Sequence, residues 1–123
     1  MELKKLNPDF TICKIRNTND IDFNNEFVFL SKTDEEISLV CESRFVPQNT
    51  IAEEADWRAI KIVGILDFGM VGVIANISAI LSRAGISIFV VSTYNTDYIF
   101  LKSCDYEKSI ALLSDNGYNF AET

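Results

Sequence analysis

The chain has no histidine and only three cysteines, and its basic residues are outnumbered by its acidic ones, 11 against 18. Without histidine the commonest general base and the commonest metal ligand are missing. Cys13, Cys41 and Cys104 are odd in number and far apart, with no CxxC pair. That usage fits a reducing compartment, with the thiols acting as small apolar fillers. The net charge of −7 weighs against nucleic acid or an anionic membrane as partner. Such binding draws its affinity from lysine and arginine on phosphates, and here those residues are few and scattered. The start, "MELKKLNPDF", lacks the apolar core of a signal peptide. The longest apolar-rich stretch, residues 71–91, is interrupted by Asn76, Ser78, Ser82, Arg83 and Gly85 and is too polar to span a bilayer. The expected location is the cytoplasm.

What is present belongs to a folded domain. Of 123 residues, 48 % are hydrophobic, and nine Phe, four Tyr and one Trp demand burial. The length suits one compact domain or two very small ones sharing a core.

From residue 58 onward the pattern is legible. "RAIKIVGIL" has the alternation of a strand. Val73, Ile74, Ile77, Ile80, Leu81 and Ala84 then recur at helical spacing, with Asn76, Ser78, Ser82 and Arg83 on the opposite face. Gly85 suits a helix C-terminal cap. "ISIFVVSTY" and "YIFLK" read as a hairpin broken at "NTD". Asp105 can cap a second helix carrying Tyr106, Ile110 and Leu113, which Asn116-Gly117 ends. "YNFAE" is a last short strand. The order strand, helix, strand, strand, helix, strand predicts an α+β, ferredoxin-like βαββαβ unit with both helices on one face of an antiparallel sheet.

The first half is less regular. "DFTICKI", "EFVFLSK" and "EISLVCE" read as strands, and "FVPQNTIAEEADW" (residues 45–57) has room for a short helix and a linker. The expected division is therefore a reduced unit over residues 1–57 and a complete one over 58–123.

The stretch most suggestive of chemistry is "LDFGMVG", residues 66–72. Its Asp-Phe-Gly matches a kinase metal loop, but a kinase needs an HRD loop, a glycine-rich loop and a strand lysine besides. The glycines Gly64, Gly69 and Gly72 miss the dinucleotide spacing, and no GK[ST] follows as in a P-loop. "GMVG" has the form of a KH-domain GXXG, which the acidic balance and the preceding strand oppose. What remains is a loop between a strand end and a helix N-terminus, whose first amides lack intrahelical partners. Glycines there let a backbone approach a small anion closely, or simply make the turn. A second polar cluster, Ser92, Thr93, Tyr94 and Asn95, follows directly on an apolar strand; with Thr96 and Asp97 it also has the composition of a β-turn.

"IKIVGILDF", "GVIANISAIL", "AGISIFVVSTYNTDYIFL" and "EFVFLSKTDEEISLVCE" together resemble the ACT-domain family, with the best likeness to small bacterial tandem-ACT proteins related to the CASTOR arginine sensors. The resemblance implies the βαββαβ fold and a site for an amino acid or related metabolite at the loop after the first strand. Asp67, Phe68, Gly69, Met70, Val71 and Gly72 would meet a ligand carboxylate through their amides. Asp67 with Ser92, Thr93, Tyr94 and Asn95 would face the ammonium or side chain. Val71 stands where relatives often carry a hydroxyl, and the first half has no matching glycine loop.

The sequence shows no nucleophile with a nearby base and no metal cluster, so no catalytic residue, cofactor or enzymatic activity is expected. The expected function is a small-molecule-binding regulatory protein, with a homodimer as its assembly and a protein partner left open. The alternative is a pairing module for homo- or hetero-oligomerisation that binds no ligand.

Overall fold

A computed structural model describes residues 1–64 and 72–121 of the chain. In chain order its elements are β1 (Glu2–Ile15), β2 (Val28–Lys32), β3 (Ile37–Glu42), β4 (Thr50–Ile62), α1 (Val73–Arg83), β5 (Ile88–Ser92), β6 (Asp97–Lys102), α2 (Tyr106–Asp115) and β7 (Asn119–Ala121). Short 3-10 turns at Ser43–Phe45 and Ser103–Asp105 follow β3 and β6. The chain forms two compact units: Met1–Asn7 with Arg58–Thr123, and Pro8–Trp57. β1 and β4 each contribute residues to both.

The unit containing the two helices is the α+β arrangement expected of a ferredoxin-like fold. In its sheet β4, β6 and β5 are successive neighbours, and β5 and β6 pair antiparallel with Phe89 opposite Phe100. Those two rings stack with centroids 4.6 Å apart. The first residues of the chain add a strand that the sequence reading left unassigned. Glu2, Leu3 and Lys4 lie parallel to Asn119, Phe120 and Ala121 of β7, and the Val63 amide donates to the Glu2 carbonyl.

One core fills this unit. Ile60 and Ile62 of β4, Ile99 and Leu101 of β6 and Leu3 of β1 all point to one face, where Ile77, Ile80 and Leu81 of α1 and Tyr106 and Leu113 of α2 pack on them. Both helices therefore cover the same side of the sheet, as their apolar stripes require. α1 ends as expected. Gly85 takes a φ of 74°, and the Ile86 amide returns to the Leu81 carbonyl while the Gly85 amide reaches Ser82. α2 closes with the same pattern, Tyr118 to Leu113 and Gly117 to Ser114. Its start differs from expectation. Asp105 occupies the N-cap position, but its side chain makes no capping hydrogen bond. Instead the Ser109 hydroxyl, fully buried, donates to the Asp105 carbonyl at 2.8 Å.

In the other unit β2, β3 and β1 are successive antiparallel neighbours, with Val40 opposite both Phe29 and Ile12. A small core of Cys13, Ile15, Leu39 and Cys41 lies on one face. Phe10 and Phe27 meet edge to face at 5.7 Å, and Phe27 stacks on Phe29. The short helix expected within residues 45–57 is absent; Thr50 onward is strand β4. Helix-forming alanines and glutamates there yield to strand pairing, a case of tertiary context overriding local propensity. Asp56 bends that strand with a φ of 70°, a conformation aspartate tolerates better than most residues. Two cysteines are fillers as expected, but Cys104 is exposed.

Candidate functional site

Of the loop residues singled out in the sequence, Asp67, Phe68, Gly69, Met70 and Val71 lie outside the described residues. Gly72 is described, and it marks where α1 begins. It is the N-cap, with a φ of 83°, and its carbonyl accepts the Asn76 amide at 2.9 Å. Among the described residues a Cβ placed there would meet no atom within 4 Å, so it is the backbone conformation that favours glycine. Neither an acidic residue in the first turn nor a side-chain cap occupies the α1 N-terminus. Its leading amides therefore have no intrahelical acceptor.

The hairpin supplies the second group. Ser92 ends β5, and Thr93, Tyr94 and Asn95 form an exposed tip with it. The Thr93 hydroxyl is engaged in the turn: it donates to the Thr96 carbonyl at 2.9 Å and accepts from the Thr96 amide. The Thr93 amide also donates to the Thr96 carbonyl, at 2.8 Å. Thr96 itself is buried to 2 % exposure, and its hydroxyl donates to the Ile62 carbonyl at 2.9 Å. This bond fixes the hairpin tip against the last residue of β4, where the chain enters the glycine-containing loop. The four hairpin candidates are thus brought together, beside the end of β4.

Thr96 is the residue that sequence reasoning undervalued. It looked like one more turn-former, and nothing in local sequence distinguishes a solvated turn threonine from one whose hydroxyl reaches another strand.

The titratable groups with displaced pKa values lie elsewhere. Burial pushes the Cys41 thiol up to about 12, with smaller contributions from Cys13, Glu42 and Glu53. Cys13 is raised for the same reason, and its thiol donates to the Leu39 carbonyl. Both are held protonated and unreactive. Burial also raises the Tyr106 phenol, partly offset by the Arg58 guanidinium. Among the described residues no group of three or more Cys, Asp or Glu side chains is placed to hold a metal. No described helix is long and apolar enough to cross a membrane.

Comparison with known proteins gives a family. The family model for the ACT domain matches residues 52–115, from within β4 to the end of α2. A solved Agrobacterium tumefaciens protein is 32 % identical with a TM-score of 0.84, the match covering 98 % of this chain and 91 % of that one. A Vibrio cholerae protein of unknown function, described as a possible transport protein, is 21 % identical with a TM-score of 0.76, over 98 % and 88 %. Aspartate kinase of Clostridium acetobutylicum, an allosteric enzyme, is 16 % identical with a TM-score of 0.63. That match covers 92 % of this chain and 33 % of the kinase. At these last two identities the likeness is one of fold. No curated protein sequence matches the chain.

Proposed function

The chain belongs to the ACT-domain family, and on that footing we propose that it is a regulatory protein that binds a small amino acid or related metabolite. The reading takes the chain as a tandem, a reduced unit followed by a complete ACT unit, akin to the CASTOR-related bacterial proteins. It has no catalytic role of its own and reports on its ligand through self-association or a protein partner.

The site is the loop Asp67 to Gly72 with the hairpin tip. Amides at the loop and at the α1 N-terminus take the ligand carboxylate, a preference of roughly 0.3–2 kcal/mol for an anion at such a position. Asp67, Ser92, Tyr94 and Asn95 face the ammonium or side chain, with Thr93 holding the turn. The observation that supports this reading is the Thr96 to Ile62 hydrogen bond, which ties the polar hairpin tip to the end of β4.

The test is thermal unfolding against each common amino acid, with size-exclusion chromatography alongside. Ligand at about a hundred times its dissociation constant stabilises a fold by roughly 2.7 kcal/mol, several degrees at this size. A selective shift that Gly72→Leu abolishes, in a variant still folded, supports the site. A shift that survives Gly72→Leu removes it.

A pairing module is the second reading, because β5 stands at the end of its strand order and leaves an edge open to another chain. A flat amino-acid panel with a firm dimer would favour it.

A further inference from the structure

A cavity of about 580 Å³ lies at the start of α2 and is lined among others by Lys5, Asn7, Arg58, Tyr106 and Glu107. All of these residues belong to the helix-bearing unit. We propose that this cavity is a second binding site, for a small organic anion whose carboxylate or phosphate group is taken by Arg58, Tyr106 and Lys5.

Two buried donors on residues lining this cavity lack acceptors among the described residues. Arg58 lies with its guanidinium carbon 4.2 Å from the centre of the Tyr106 ring, and one terminal nitrogen donates to the Leu6 carbonyl at 3.2 Å. Those two contacts fix the plane of the guanidinium. Its Nε is buried and meets no acceptor among the described residues. Tyr106 is 3 % exposed, and its hydroxyl likewise meets no hydrogen-bond partner. Buried donors without acceptors carry a desolvation penalty that an incoming acceptor relieves. The packing of this unit has left two such donors on residues that line one cavity, to which the exposed Lys5 also contributes.

Charge points the same way. Lys5 and Arg58 supply two positive charges and Glu107 one negative, a local excess of one positive in a chain of net charge −7. Among the described residues the ion pair between Arg44 and Glu42 does not involve any of them. A fixed guanidinium is suited to two parallel hydrogen bonds with an oxyanion. Glu107 disfavours a ligand of high negative charge and offers a partner to a ligand ammonium. A ligand of net charge −1 therefore matches the cavity best. Its volume falls within the range of small-molecule sites. This inference does not depend on the loop site.

The test is calorimetric titration of the whole protein with sodium glutamate and with sodium glycerol 3-phosphate at fixed ionic strength, using sodium chloride as control. Saturable binding of one probe is expected, and the probe that binds distinguishes carboxylate from phosphate. Arg58→Gln should weaken it about ten- to hundredfold and Tyr106→Phe about threefold or more, the usual effects of losing a charge-assisted and a neutral hydrogen bond. If Arg58→Gln does not fold, Lys5→Gln decides, because Lys5 is exposed; it should weaken binding several-fold. Absence of saturable binding by either probe would overturn the proposal. So would binding that Arg58→Gln and Lys5→Gln leave unchanged, or that Gly72→Leu abolishes while both of them retain it.

Discussion

Replacing Thr96 by valine tests whether one buried hydroxyl anchors the hairpin beside the loop. Valine keeps the shape and removes only the oxygen, so the Ile62 carbonyl loses its donor 2.9 Å away. Thr96 is 2 % exposed, and water cannot replace the lost bond without opening the turn. A buried acceptor stripped of its donor costs about 1–3 kcal/mol. For a domain of this size each kcal/mol is worth roughly 4 °C, so the midpoint should fall by about 4–12 °C. Thermal unfolding followed by circular dichroism or calorimetry reads this directly. Thr96→Ser is the control, since it keeps the hydroxyl and loses only a methyl group, a cost on the order of 1 kcal/mol. Amide exchange at Thr93, whose N–H donates to the Thr96 carbonyl, should accelerate in the valine variant. The reasoning fails if valine is as stable as threonine while serine is the weaker variant. The position would then need the methyl group, and the hairpin would be held by packing alone.

Other outcomes follow from the same physical terms. Leu113 is fully buried under α2, and Leu113→Ala should cost about 2–5 kcal/mol in denaturant titration, with little change in the slope. At high pH the buried thiols act against the fold. Their folded pKa values lie above the ordinary cysteine value of 9.0, Cys41 at about 12, so the thiols ionise first in the unfolded chain. Stability from this source is intact below pH 9 and is lost progressively as pH rises toward 12. Cys41→Ala should flatten that alkaline decline in unfolding free energy measured between pH 8 and 11; an unchanged slope would remove Cys41 as its cause.

Helix α1 and the β5–β6 hairpin were legible in the sequence because their signals are local. Apolar residues from Val73 to Leu81 repeat at the helical period, and Gly85 and the Asn116-Gly117 pair provide the stops that both helices use. β4 between Thr50 and Asp56 was not legible. Its residues from Ile51 to Asp56 are exposed and carry no burial pattern, so only pairing with a distant strand makes them extended. The N-terminal strand was hidden for a related reason: after Met1, "ELKKL" has only Leu3 and Leu6 as apolar residues, and Leu3 reaches the core because Glu2 to Lys4 align with β7. The expected cap at Asp105 failed because the 3-10 turn Ser103–Asp105 already runs into α2, leaving Asp105 with a helical backbone and no capping side-chain bond.

The candidate sites divide along the same line. Sequence alone singled out the glycines before α1 and the polar cluster after β5, since composition and spacing are carried by consecutive residues. It also determined the acidic balance and the lack of histidine, which limit partners and chemistry. Only the tertiary structure decided that Thr96 ties the hairpin to the end of β4. Only it brought Arg58 over Tyr106, residues separated by most of the helix-bearing unit, both lining one cavity and each with a buried donor that has no partner among the described residues. A hydrogen bond or a missing one depends on positions within tenths of an ångström, and residues far apart in the chain acquire such positions only when the core between them has packed.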